Sequence, residues 1–456
     1  MQRKDFIKTT LLGLSAIPFY SLGNSFQLGN SKKVIIVGAG IAGASAARKL
    51  KDAGFEVTIL EARNRTGGRI HTNNDLGCNI ELGANWIHDS KSPKNPLKPI
   101  ADLLKIENQE TSYTNLKLYD RNGDKISKIR LGLFYNHLEN KIGRKAEQLN
   151  ISQTDVSIQK IIDQIISESN YSPRELDMIS FINKTFSTSI GADLDKASSR
   201  YNLNSSSSKR SEDYLILGGY QRIVDELLTK VDLILEAVVR EIRQDATTVK
   251  VVTDKQIFEA DYVIVTVPVS ILQKNQIQFS PKLPEWKVNS FSKMQMGLFN
   301  KVVMEFTEKF WDGNSDFQCY YAASANSSGI SLNYHHYNQK NILIALPVGK
   351  AGQWVEENDF ETIKKEYQSI FHKAHKGKEI EFKNFMKTSW NRDEFSQGSY
   401  SHIPVGTTEN DFNTLEKEVG RIHFAGEATN GEQHATVHGA YNSGIREALK
   451  IIDAQK

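Results

Sequence analysis

The chain is most constrained by residues 33–61, where a β-branched run meets three spaced glycines. Lys33-Val34-Ile35-Ile36-Val37 has no polar alternation, the pattern of a parallel strand buried on both faces. It runs directly into Gly38-Ala39-Gly40-Ile41-Ala42-Gly43. Three spaced glycines alone are a weak signal. Here a helical stretch follows, with Ala46, Ala47 and Leu50 apolar and Gly54 at its end, and then a second strand, Val57-Thr58-Ile59-Leu60. That strand ends in Glu61, 23 residues past Gly38. Each residue type has a task in a dinucleotide site. Gly38 permits a sharp turn, Gly40 lets backbone N–H groups approach a pyrophosphate at the helix N-terminus, and Gly43 allows helix and strand to pack closely. Glu61 accepts hydrogen bonds from an adenosine ribose. The expected fold class is α/β, built on a Rossmann-type unit.

Composition removes several alternatives. At 456 residues, 39% of them apolar, the chain suits two or three domain-sized units. Lys and Arg number 57 against 54 Asp and Glu, a balance that argues against a nucleic-acid protein held by a general basic field. Cys78 and Cys319 allow one disulfide at most and have no paired ligand spacing, which excludes a disulfide scaffold, a Cys-rich zinc site and an iron–sulfur cluster. The histidines predict no metal centre. His335 and His336, if in a strand, fall on opposite faces, and His434 and His438 have helical spacing without a third ligand nearby. No nucleophile elbow supports hydrolase chemistry.

Which dinucleotide is bound is decided downstream. Glu61-Ala62-Arg63-Asn64-Arg65-Thr66-Gly67-Gly68-Arg69 places adjacent glycines, where backbone can approach a bulky ligand, among three arginines able to pair with phosphate. Further on stand Glu81-Leu82-Gly83-Ala84-Asn85-Trp86-Ile87-His88, Phe424-Ala425-Gly426-Glu427-Ala428-Thr429 and Thr436-Val437-His438-Gly439-Ala440. Together, in this order, these segments resemble the flavin amine oxidase superfamily, and most closely its polyamine and spermine oxidases. The resemblance implies FAD as cofactor, bound by Gly38, Gly40, Gly43, Glu61, Arg63, Gly67, Gly68, Arg69, Gly83, Ala84, Asn85 and Trp86. Val238 would lie at the adenine, Glu427 at the ribityl chain beside Gly426, and Thr436, Val437 and Trp390 near the flavin ring. It implies a Rossmann-type FAD-binding domain (32–91, 212–290 and 405–454) interleaved with an α+β substrate-binding domain (92–211 and 291–404). A helix beginning near Thr436 would turn its positive end toward the flavin, an effect of about 1 kcal/mol.

The same resemblance names the catalytic candidates. In Asn300-Lys301-Val302-Val303, strand alternation puts Phe299, Lys301 and Val303 on one face, and the family's lysine here holds a water against the flavin. Trp390 and Gly398-Ser399-Tyr400-Ser401 resemble the aromatic wall of polyamine oxidases, and His88 falls where they place an active-site histidine. Two departures from monoamine oxidases matter. Ser399 stands where their cysteine bonds the flavin, so the flavin here should be non-covalent. Thr436 replaces their second cage tyrosine, as in spermine oxidases and lysine-specific histone demethylases. The implied reaction is hydride transfer from the carbon beside an amine nitrogen to flavin N5, imine hydrolysis, and reduction of O2 to H2O2. The expected substrate is a small-molecule amine, first a polyamine; a monoamine or L-amino acid oxidase is the alternative, and a flavin-bound interaction module the non-enzymatic one. Composition is silent between them, since residues 131–213 hold eleven acidic and ten basic side chains.

Elsewhere Ile158, Ile161, Ile162, Ile165 and Ile166 mark one helix face, Ser172-Pro173-Arg174-Glu175 a capping box, and Phe360, Ile363, Tyr367, Ile370, Phe371 and Ala374 a second apolar stripe. Ser205–Ser208 and Lys209–Asp213 read as a polar surface loop. Val231–Glu236, Val249–Val252 and Tyr262–Val267 read as strands. Residues 1–30 read as a leader: Arg3, Lys4 and Lys8 precede an apolar stretch from Leu11 to Leu22, too short for the roughly 20 residues of a membrane helix. The segment resembles a twin-arginine export signal with Lys4 in place of the second arginine, and implies a periplasmic enzyme without stable membrane insertion; the alternative is a cytoplasmic one.

Overall fold

The computed structural model describes residues 31–151, 155–203, 212–321, 324 and 326–456; the expected leader and residues 204–211 of the expected loop lie outside them. Lys33–Val37 is the middle strand of a five-stranded parallel sheet. The order across it is Ile422–Phe424, Tyr262–Val265, Lys33–Val37, Glu56–Leu60 and Asp232–Ile234. The run without polar alternation is explained by burial on both sides. Val34 and Ile36 join one core with Ala42, Ala46 and Leu50, while Ile35 and Val37 join another with Ile242, Val251 and Val263. The first core lies under the helices Ile41–Asp52 and Val437–Asp453. The second is closed by a four-stranded sheet, Ile257–Ala260, Val249–Thr253, Val239–Gln244 and Gln278–Ser280.

A second large sheet has six strands, in the order Phe382–Lys387, Val302–Phe306, Ile342–Ala345, Ile330–Asn333, Phe317–Tyr320 and Leu116–Tyr119. Alternation again divides the faces. Val302, Met304 and Leu343 pack under the helix Phe360–Ala374, whereas Val303, Leu332, Phe317 and Cys319 face the opposite way. A helical layer of Lys128–Ile151, Ile158–Ser167 and Pro173–Ile190 stands near that second face, its own core built from Ile158, Ile161, Ile162, Ile165 and Ile179. The capping box is present, with Glu175 accepting the backbone N–H of Ser172. The α/β expectation with a Rossmann-type sheet thus holds, joined to an α+β portion.

Four local expectations are corrected. Asp213 is not in a surface loop but begins the buried strand Asp213–Ile216, the middle strand between Trp86–Ile87 and Asn108–Thr111. His335 and His336 lie in the short helix Tyr334–Asn338 rather than in a strand. His434 precedes the helix that carries His438, so the two do not share its face. Phe360, at the first turn of its helix, is 47% exposed, since it meets only the edge strand of the sheet, edge-on to Phe385. Among the described residues no helix is long and apolar enough to cross a membrane.

Candidate active site

The first strand, its glycine turn and the following helix do what their residue types require. Gly38 has φ +109, and a Cβ there would sit 2.6 Å from Thr266 Oγ1. A Cβ on Gly43 would meet the carbonyl oxygen of Gly38 at 2.0 Å, so turn and helix approach to a distance only glycine allows. Glu61, at the end of the second strand, is 4% exposed; its carboxylate accepts the N–H groups of Ala39 (2.7 Å) and Arg63 (2.9 Å). It ties the glycine turn to the neighbouring strand and keeps lone pairs for a ribose.

The three arginines are anchored by the protein itself. Arg63 pairs with Asp393 and donates to Ser396 Oγ (2.9 Å), and Arg65 donates to the carbonyls of Thr66 and Gly68. Arg69 pairs with Glu427 (2.7 Å) and reaches the Ser399 carbonyl (3.0 Å). Burial works against ionisation of Glu427, but Arg69 and the donors Ser401 and Ala435 N–H hold its carboxyl below the usual range. The C-terminal helix starts at Val437 with Thr436 as N-cap, its Oγ1 accepting from Gly439 N–H at 3.0 Å.

Lys301 precedes the strand Val302–Phe306 and is 2% exposed. Its ammonium donates to the carbonyls of Glu81 and Gly83 (2.7 Å) and to Asn85 Oδ1 (2.5 Å). Burial pushes the Lys301 ammonium down and the nearby Glu81 carboxyl up, each opposed by the other's charge. The other side of Asn85 is an orphan: its Nδ2 is buried without a partner in the protein. Trp390 is held by Asn300, whose Oδ1 accepts its backbone N–H (3.1 Å), and by its own indole bond to the Leu82 carbonyl (3.2 Å). Tyr400 is partly buried, donates to the Thr188 carbonyl (3.2 Å), and has its phenol pushed well above the usual value by burial. Ser399 is engaged on both sides by Phe299, accepting its N–H and donating to its carbonyl. His88 Nδ1 lies 2.7 Å from Asp213, which also accepts from Tyr113.

Most of these groups line one cavity of about 910 Å³, while Gly43, Arg65, Glu81, Asn300 and Asp393 do not line it. It runs from Gly38, Gly40, Gly67, Gly68 and Val238 past Gly83, Ala84, Trp86, Lys301, Trp390, Tyr400 and Val437 to an apolar end formed by Phe181, Phe317 and Leu346. A dinucleotide flavin suits the set. The helix Ile41–Asp52 has no side-chain cap over its first N–H groups, as a pyrophosphate requires, and Asn85 Nδ2 offers an unspent buried donor.

The sequence matches the family described as flavin containing amine oxidoreductase over residues 41–452. The chain belongs to that family. FAD is therefore the cofactor of this oxidoreductase, and amines are what it oxidises. It is 30% identical to polyamine oxidase 1 of Zea mays, across 93% of this chain and 91% of that one. It is 31% identical to lysine-specific histone demethylase 1 homolog 2 of Arabidopsis thaliana, across 93% of this chain but 59% of that longer protein. Among solved structures, a putrescine oxidase altered to redesign cofactor binding superposes with a TM-score of 0.76 at 22% identity, over 93% of this chain and 99% of its own.

Three residues of the site escape a reading of the sequence. Asp213 was hidden by the polar run before it, and Asn300 is visible only as the neighbour of Lys301. Glu139, which lines the cavity from the helix Lys128–Ile151, carries no local signal at all.

Proposed function

We propose that this amine oxidase acts on polyamines, and that the cavity between Lys301, Trp390 and Tyr400 is where the reacting carbon is held. The observation that carries the reading is the breadth of the likeness: relatives named polyamine oxidases match over more than nine-tenths of the chain. Bound FAD supplies the two-electron acceptor for the C–H bond beside nitrogen, with O2 as final oxidant and H2O2 as product. The protein's part is positional and electrostatic. Trp390 and Tyr400 exclude water around the amine, which favours its neutral form, the form able to give up hydride. Lys301 places positive charge beside Gly83 and Asn85, and the Arg69–Glu427 pair and the helix N-terminus at Thr436 line the same cavity. Asp213 and Glu139 give the outer cavity negative charge for distant ammonium groups. Gly40, Gly67, Gly68, Ala84, Trp86, Val238 and Gly426 line the same cavity, which supports the cofactor-binding roles given to them.

Anaerobic flavin reduction by spermine, spermidine and their acetylated forms, set against benzylamine and L-amino acids, tests this. The polyamines should reduce the flavin fastest; a clear preference for an amino acid replaces the reading with the amino acid oxidase alternative. We also infer from the leader that the folded, FAD-loaded enzyme is exported to the periplasm, with the domain limits expected from the sequence. Fractionation of the native host should find a form about 25 to 30 residues shorter outside the cytoplasm. Full-length protein confined to the cytoplasm would end that idea.

A further inference from the structure

Beside the cavity, the short sheet of Trp86–Ile87, Asp213–Ile216 and Asn108–Thr111 makes a second arrangement. Its register pairs Ile87 with Tyr214 and Thr111 with Asp213, so the next step along the first strand brings His88 opposite Asp213. The carboxylate is 4% exposed and collects the Tyr113 hydroxyl (2.8 Å), His88 Nδ1 (2.7 Å) and the N–H of Asp89 (3.0 Å). Burial opposes its charge, but the donors, His88 foremost, bring its pKa down to about 2. An ionised carboxylate can only accept, so Nδ1 carries a proton whatever the state of the ring. Nε2 makes no hydrogen bond to the protein among the described residues. The Asn95 amide donates to the His88 carbonyl (2.5 Å) and fixes the backbone, while the ring itself is 42% exposed at the cavity wall. A buried charge is costly, and here it is kept against a ring that is not itself buried. Beyond Asp213 and Tyr113, the titratable neighbours are Asp89 and His438, and burial pushes His438 down to about 4, so it is neutral at working pH.

We propose that Asp213 is a positioning residue: it locks His88 with its proton on Nδ1, leaving Nε2 as the acceptor for an N–H of the substrate amine. The imidazole then recognises an aliphatic amine or ammonium, with the negative charge one group behind it. The inference rests on the amine oxidation described above and deepens its substrate recognition.

The test is Asp213→Asn in the FAD-loaded enzyme. If the asparagine oxygen keeps the N–H of Asp89, its NH2 group faces His88 Nδ1, which must then accept. The proton moves to Nε2, setting donor against donor at the substrate. With spermine under anaerobic conditions, the concentration giving half-maximal flavin reduction should rise by about 10-fold or more, equal to about 1.4 kcal/mol. The flavin spectrum and reduction by dithionite should stay those of the wild type. Because Asp213 acts through His88, the double variant His88→Ala/Asp213→Asn should be no worse than His88→Ala alone. A wild-type response to spermine in Asp213→Asn, or losses that multiply in the double variant, overturns the proposal. Should Asp213→Asn fail to fold, nitrogen NMR of 15N-histidine-labelled holoenzyme, with His88 assigned by its loss in His88→Ala, reads the tautomer directly. A proton on Nδ1 of the neutral ring supports the proposal, and one on Nε2 overturns it. Failure of the polyamine reading shows separately, as a wild-type flavin that spermine does not reduce. The variants are then compared using the amine that does reduce it.

Discussion

Lys301 shows how much one side chain can be asked to do. Its three N–H groups are directed at the Glu81 and Gly83 carbonyls and Asn85 Oδ1, so it draws together the segment that lines one wall of the cavity. A neutral amine has too few protons for three acceptors, which favours the ammonium even though burial opposes it. It follows that Lys301 can hold a water only by yielding one of these bonds. Lys301→Met keeps roughly the length and removes the charge. It strands buried acceptors, at about 1 to 3 kcal/mol each, so the melting temperature should fall while FAD still binds. Turnover should fall by at least about 10-fold, equivalent to about 1.4 kcal/mol in the barrier. Measuring the two half-reactions apart assigns the loss. Slow reoxidation points to a role in meeting O2, and slow reduction to a role in preparing the amine. Fully flavinated Lys301→Met with wild-type rates in both would leave the residue a purely structural tie.

At the scale of elements, legibility follows the range of the interactions. The first strand, glycine turn, helix and Glu61 are written within about thirty residues, each by its own chemistry, and stand where the sequence puts them. The same is true of the helix that begins near Thr436 and of the isoleucine helix, whose signal is a periodicity. Asp213 fails for the opposite reason. The run before it is of serines and charged residues, while its burial comes from strands more than a hundred residues away, in which Ile87 and Thr111 set its surroundings. The five-residue helix holding His335 and His336 is too short for any period to show. The arginines of residues 63–69 were legible as charge and not as geometry, because Asp393 and Glu427, which fix two of them, arrive from far along the chain. The alternation at Phe299, Lys301 and Val303 was readable, but that Lys301 meets the Glu81–Asn85 segment was not.

Over the whole molecule, the cavity is a joint between assemblies that share little else in sequence: the turns of the parallel sheet, one face of the six-stranded sheet, and the helical layer all contribute walls. A cofactor that fills such a joint stabilises every wall it touches, by about 2.7 kcal/mol at a free concentration a hundred times its dissociation constant. Neither Ser399 nor Cys319 ties it covalently. Ser399 spends its hydroxyl on Phe299, and Cys319, the cysteine that lines the cavity, sits in the strand Phe317–Tyr320 with its thiol pushed far up by burial, which disfavours the reactive thiolate. Acid precipitation of the purified enzyme should therefore leave yellow FAD in the supernatant. Apoprotein prepared by gentler, chaotrope-assisted removal should melt below the holoenzyme and recover its melting temperature in proportion to added FAD. Flavin retained in the pellet would reveal a covalent bond at another residue. An apoprotein that melts with the holoenzyme would mean that the walls close without the cofactor, and that the joint is held by protein contacts alone.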